Sequence, residues 1–241
     1  MALLCQGAYA LTITDDFNRA DTAASTNLSL AIGSNWINGN DTNGLARIFG
    51  NEVDITGVFG TALAKFTMLN TAIGTLNNGL GTNFTLSAIV KMDTTASTAQ
   101  AGLIVNYIDV NNYYQFRYSG TGNVQFTRTV AGVVSATPLS VTAAFTPVQN
   151  RPYELTVSSA DPYVFDVSVR DTVTDTIVYS KVGVTDANSN FKDGFGGVYA
   201  TTGLAGFDNF SLTATTAPAT QSTLSLFIIS SLPIRNRVAF L

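Results

Sequence analysis

Residues 112–132 read NYYQFRYSGTGNVQFTRTVAG, and this stretch decides the fold. Tyr114, Phe116 and Tyr118 recur at every second position, which puts their side chains on one face of a strand. Ser119 to Asn123, with two glycines, has the composition of a turn. Beyond it Val124 and Phe126 supply a matching apolar face, so the stretch predicts a β-hairpin whose register is set by its buried side. Residues 163–182, YVFDVSVRDTVTDTIVYSKV, repeat the arrangement. Tyr163, Phe165, Val167 and Val169 share a face, and the turn is expected in Asp171 to Asp175.

Working outward, short strand-like runs separated by Gly, Asn, Asp and Pro recur from residue 12 to about 213. They include LTITDDF, FTLSAIVKM, AGLIVNYID, GFGGVYA and GFDNFSLTA, giving roughly ten to thirteen strands. That is too many for one flat sheet, and two packed antiparallel sheets are the expected solution. The composition agrees with an all-β chain. Of 241 residues 46% are hydrophobic and only 12% charged, so helices held by surface ion pairs are not expected.

Composition also excludes several functions. A net charge of −4 leaves no basic footprint for nucleic acid. Histidine is absent, which removes Ser-His-Asp catalysis and His-based zinc sites. Cys5 is the only cysteine and reads as a small buried hydrophobe, with no disulfide scaffold. The opening MALLCQGAYA has a small-x-small ending but no Lys or Arg before Arg19, so it is not read as a signal peptide. The longest apolar run, Leu224 to Leu232, is broken by serines and too short to span a bilayer. The sequons at Asn27, Asn40, Asn83 and Asn209 carry weight only on a eukaryotic secretory route and are discounted.

The order TDDFNRAD, GSNW, AGLIVNYIDVNNYYQFRY, RPYELTV and GFGGVYATTGLAGFDNFSL resembles the concanavalin A-like jelly-roll superfamily, in particular its laminin-G-like and sugar-binding branches. The resemblance covers about residues 12–213. It implies a two-sheet antiparallel jelly-roll sandwich with first and last strands side by side, which would place Asp16 near Asp208. Around it the reading divides the chain into an apolar arm (1–11), the jelly roll (12–213), a linker (214–223) and an apolar anchor segment (224–241).

Three kinds of chemistry were sought. Hydrolases of this fold carry a Glu-x-Asp-x-Glu or Glu-x-Asp-x-x-Glu motif. Glu52 and Asp54 share a strand face, but Thr56 and Gly57 stand where the acid/base would be, and the only other glutamate, Glu154, reads as the solvent side of a strand. Half a carboxylate pair predicts no glycosidase activity. Family members commonly hold calcium, for which Asp15, Asp16, Asp208 and Asn209 are the candidates, with Asp41 and Asn43 as a second cluster. The alternative is that Asp15 and Asp16 cap a turn while Phe17, Phe207 and Phe210 fill the core. For glycan binding the candidates are Trp36, Tyr113 and Tyr114 for stacking, beside Asp109, Asn111 and Asn112 for hydrogen bonds. Burial of Trp36 in the core is the competing reading.

The tail STLSLFIISSLPIRNRVAFL is apolar yet cannot cross a membrane, so it must be covered by protein. Leu226, Phe227, Ile228 and Ile229, with Arg235 and Arg237, are expected as assembly contacts in a homo-oligomer or larger particle. A lectin-like head on apolar anchors, with no catalytic set, is similar to bacteriophage virion surface proteins such as capsid decoration proteins or tail adhesins. The alternative is a monomeric extracellular carbohydrate-binding module, and a third reading is a glycoside hydrolase whose acid comes from elsewhere.

Overall fold

The computed structural model describes residues 9–25, 36–38, 45–56, 65–69, 83–161, 163–188, 191, 194–201 and 204–216. Among these residues there are fifteen strands and no helix. In chain order they are β1 (Tyr9–Asp15), β2 (Trp36–Asn38), β3 (Leu45–Phe49), β4 (Glu52–Thr56), β5 (Lys65–Leu69), β6 (Phe84–Met92), β7 (Gln100–Asp109) and β8 (Asn112–Ser119). There follow β9 (Val124–Val130), β10 (Val133–Val141), β11 (Tyr153–Asp161), β12 (Val164–Asp171), β13 (Thr176–Thr185), β14 (Phe195–Ala200) and β15 (Leu204–Thr216).

The opening hairpin forms as read. β8 and β9 pair antiparallel with Phe116 opposite Phe126 and Tyr118 opposite Val124. The turn is closed by the Gly122 amide donating to the Ser119 carbonyl at 2.8 Å. The second hairpin, β12 with β13, turns where the Asp171 carboxylate accepts the amides of Val173 (2.9 Å) and Thr174 (3.3 Å). Tyr163 falls just outside β12, so its inward face is Phe165, Val167 and Val169.

The strands make two antiparallel sheets. One has eight strands in the order β13-β12-β11-β6-β15-β4-β3, with β1 also paired to β15; the other has seven, β10-β9-β8-β7-β14-β5-β2. Their inner faces meet through Leu86, Ala88, Val90, Leu155 and Val157 on one side and Leu103, Val105, Phe116, Phe126 and Val198 on the other, all fully buried. Each large apolar side chain so enclosed favours folding by about 1.5–3 kcal/mol. The result is the jelly-roll sandwich expected from the sequence.

β15 joins the eight-stranded sheet together. Its first residues pair with β4, from Leu204 opposite Thr56 to Phe207 opposite Val53, and its later ones with β1, from Phe210 opposite Asp15 to Thr216 opposite Tyr9. β6 runs along its other edge, with the register shifting between Asp208 and Ser211 where Asn209 adopts φ 47°. This bulge lies where β15 changes partner. The first and last strands are therefore neighbours, as the resemblance implied. The same ladder corrects the expected boundaries: residues 9–11, assigned to the arm, and 214–216, assigned to the linker, are strand, because each pairs with the other.

β10, which carries Pro138, lies at the edge of its sheet with register shifts on the residues before Leu139, a position that tolerates proline. Among the described residues no helix is long and apolar enough to cross a membrane. Leu226, Phe227, Ile228, Ile229, Arg235 and Arg237 lie outside the described residues, as do Asp41 and Asn43.

Candidate functional site

The end of β1 brings Asp15, Asp16 and Asn209 together. With Thr14, Phe210 and Ser211 they line an open cleft of about 420 Å³. Asp208 stands close enough to Asp16 for that charge to raise its pKa, although burial is the larger cause. The groups are nonetheless engaged in holding the chain. Asp15 Oδ1 accepts the Phe17 amide at 2.9 Å and pairs with Arg19, while Oδ2 accepts the Trp36 indole at 2.8 Å. Asp16 accepts the Asn18 amide at 3.2 Å, and Asp208 the Asn209 amide at 2.7 Å. Among the described residues no group of three or more acidic, His or Cys side chains is placed to hold a metal. The donor set does not fit a calcium cage, since the oxygens a cation would need are turned onto amides, an indole and a guanidinium.

Trp36 is completely buried and packs between Phe17 (5.4 Å between ring centroids) and Phe210 (5.0 Å). Tyr114 is likewise 0% exposed, packed on Phe126, Phe165 and Phe191 with its hydroxyl donating to Asp186 at 2.7 Å. Trp36 thus takes the core reading, while the expectation that Tyr114 stacks on a sugar is corrected: it points into the sandwich because it shares the inward face of Phe116 and Tyr118. The loop between β7 and β8 spends its polar groups on its own turn and the neighbouring one. Asp109 accepts the Asn111 amide at 2.7 Å and the Asn112 side-chain amide at 2.8 Å, and Asn112 Oδ1 accepts the Ala131 amide at 3.2 Å. Asp109 and Asn111 remain exposed at this tip.

The alternate residues of the same hairpin build a different surface. If Tyr114, Phe116 and Tyr118 face in, Tyr113, Gln115 and Arg117 face out from the seven-stranded sheet. The register sets Thr129, Thr127 and Gln125 of β9 beside them, Gly102 and Ile104 of β7 on the other side, and Tyr199 of β14 next to Gly102. The Arg117 guanidinium donates to Gln125 Oε1 (3.0 and 3.2 Å), Gln115 Oε1 (3.1 Å) and the Tyr199 hydroxyl (3.3 Å). Arg117 and Gln125 are half-buried, whereas Gln115 (2%) and Tyr199 (1%) form a dry floor. Toward the β7–β8 loop, Tyr113 and Tyr107 stack at 6.1 Å between ring centroids. Burial pushes the Tyr107 phenol up to about 12, helped by the charge of Asp109. Of the sequence candidates only Tyr113 belongs to this strip. Gln115, Arg117, Gln125 and Tyr199 were missed, although their alternation with the core residues was the available signal.

The carboxylates considered for hydrolysis lie elsewhere. Glu52 and Asp54 do share a face, but on the eight-stranded sheet, where Glu52 pairs with Lys91 and Asp54 with Arg47 at 3.0 Å. Glu154 is tied to Arg170 at 2.7 Å.

No protein-family model matches the chain, and no curated protein does. Solved structures do. The chain is similar to a carbohydrate-binding module from Bacillus subtilis (17% identity, 74% of this chain and 95% of that one, TM-score 0.54). It is also similar to arcelin-5, a lectin-like defense protein from Phaseolus vulgaris (9% identity, 87% and 99%, TM-score 0.57). A third likeness is to a xylan β-1,4-xylosidase from Bacillus halodurans (12% identity, TM-score 0.53), where 83% of this chain matches only 38% of the enzyme. At such identities the likeness concerns architecture alone: the chain has the concanavalin A-like sandwich fold that lectin-like proteins, carbohydrate-binding modules and part of a glycosidase share.

Proposed function

We propose that the protein is a non-catalytic carbohydrate-binding module, lectin-like and extracellular, that receives a glycan on the outward face of its seven-stranded sheet. The observation that carries this reading is the half-buried pair Arg117 and Gln125 on a floor of Gln115 and Tyr199, a connected set of guanidinium, amide and phenol groups, with Tyr113 buried beside it. Planar polar groups of this kind bind sugar hydroxyls. The carbohydrate-binding and lectin-like proteins of the same fold support it. Against hydrolysis stands the chemistry: the strip has no carboxylate pair, and Glu52 and Asp54 are neutralised by cations on the other sheet. A place on a virion surface rests on residues 224–241, outside the described residues, and draws no support from the structural likenesses.

The test is affinity electrophoresis of the protein through gels containing a panel of soluble polysaccharides. Retention on at least one is expected, weakened about tenfold or more by Arg117→Ala or Gln125→Ala, without release of reducing sugar. Free migration of the intact protein through every gel would overturn the reading.

A further inference from the structure

We propose that the ligand of this strip is an acidic sugar, with the carboxylate of a uronic acid residue seated against Arg117. This deepens the glycan-binding reading and rests on it.

Arg117 is singular in its surroundings. Of the six arginines among the described residues, Arg19, Arg47, Arg128, Arg151 and Arg170 each pair with a carboxylate. Arg117 has none within 4 Å among those residues, although the chain carries more acidic than basic groups. Its contacts are two neutral amide oxygens and a phenol. Guanidinium does not lose its proton in proteins, so a half-buried positive charge stands on this face without a counter-charge among the described residues.

Donor hydrogens are also in excess. Gln125 Oε1 takes the Nε–H and one Nη2–H of Arg117, and Gln115 Oε1 and Tyr199 take the two Nη1–H groups, which leaves one Nη2–H. Gln115 lies beneath it, 2% exposed, with its Oε1 engaged with Arg117 and, at 3.4 Å, with Thr127. A carboxylate meets this demand: it accepts the remaining hydrogen without bringing one of its own, and it supplies the missing charge. A neutral sugar hydroxyl would bring a further hydrogen and no charge. The fold explains the placement, since Gln115 and Arg117 are alternate residues of β8 and Gln125 lies opposite Arg117 on β9.

The experiment compares retention of the whole protein on polygalacturonate and alginate, on the same polymers after carboxyl reduction to neutral sugars, and on dextran sulfate. The expected result is retention on at least one uronan, at least about tenfold weaker once its carboxyls are reduced, and little on dextran sulfate. Gln115→Glu, which places a carboxylate beside Arg117, is expected to abolish retention, and Arg117→Lys, which keeps the charge but loses the planar fork, to weaken it about tenfold. Equal retention on a uronan and its reduced form, or on neutral polymers alone, would overturn the acidic-sugar proposal and leave the glycan-binding module standing. Equal retention on dextran sulfate would reduce the effect to general attraction of polyanions and overturn it as well. No retention anywhere would remove both. The comparison of native with reduced polymer uses the unaltered protein, so it decides even if a variant fails to fold.

Discussion

Arg128 and Asp186 form an ion pair inside the sandwich, at 2.7 Å, with side chains only 5% and 2% exposed. Arg128 reaches it from the inward face of β9, and the Tyr114 hydroxyl adds a second donor to the same carboxylate at 2.7 Å. The aspartate thus fixes the segment after β13 to β8 and β9 of the opposite sheet.

Removing one partner strands the other. Arg128→Met is expected to cost about 3–5 kcal/mol in urea unfolding, because the Asp186 charge stays buried. Tyr114→Phe, which deletes one donor and keeps the ring, should cost about 1–2 kcal/mol. A loss for Arg128→Met no larger than for Tyr114→Phe would show that the pair is not dry.

Trp36 and Asp15 link the two sheets, since β2 belongs to one and β1 to the other. Asp15→Ala leaves a buried indole N–H unmet, and a loss of about 1–3 kcal/mol is expected. Trp36→Leu opens space between Phe17 and Phe210 and should cost more, about 3 kcal/mol or above. Trp36 is the only tryptophan, so fluorescence of the Asp15 variant reports the unfolding directly. Because Asp15 is engaged in these contacts, chelating calcium with EDTA is expected to leave the thermal midpoint where it was; a fall would mean a bound ion.

Alkaline pH should unfold the protein late and cooperatively. Burial raises the phenols of Tyr114, Tyr118 and Tyr199, and that of Tyr107 to about 12. A raised native pKa means the native state holds its proton more tightly than the unfolded chain, whose tyrosines titrate near 10. The stability is therefore intact below pH 10 and is lost as pH rises toward 12. Absorbance at 295 nm should show these tyrosines ionising together with unfolding, not before it.

The acid side carries the opposite experiment. Burial first, then Asp16, raises the pKa of Asp208 above 3.8. A proton is then bound more tightly in the native state, so the ionised group weakens the fold at neutral pH, and the penalty fades as pH falls through the raised value toward 3.8. Asp208→Asn keeps an acceptor for the Asn209 amide and should raise the thermal midpoint at pH 7, with the advantage vanishing below 3.8. An equal advantage at both pH values would point to a cause other than charge.

Gly122 is constrained by conformation and space together. Its φ is +76°, and a Cβ there would come within 1.8 Å of the Phe145 carbonyl oxygen. Gly122→Ala is expected to destabilise by more than the roughly 1 kcal/mol typical of a left-handed glycine alone, measured by urea unfolding.

Period-two alternation made the two hairpins and the sandwich legible, because one face of each strand is core. It could not reveal β2, with three residues, or β10, with Pro138 inside it. The candidate site was misread for a related reason. Aromatic residues attract attention in a sequence, and Tyr114 and Trp36 were weighed as ligands, yet large rings are also what fills a sandwich. The outward alternates, Gln115 and Arg117, look like ordinary solvated positions until register brings Gln125 and Tyr199 beside them. Asp16 stands near Asp208, as the resemblance implied, but the hydrogen bonds of Asp15 and Asp16 to backbone and indole are invisible to spacing.

β15 sets a limit on how the protein assembles itself. Among the described strands β1 comes first in the chain and its partner β15 last, with Asp15 opposite Phe210. During synthesis β1 therefore emerges without its neighbour and must wait for nearly the whole domain to follow. Long-range pairing of this kind slows folding, since the loop must close before the ladder repays it. Moving β1 to the C-terminus by circular permutation, so that it follows β15 directly, is the rearrangement that would shorten the wait.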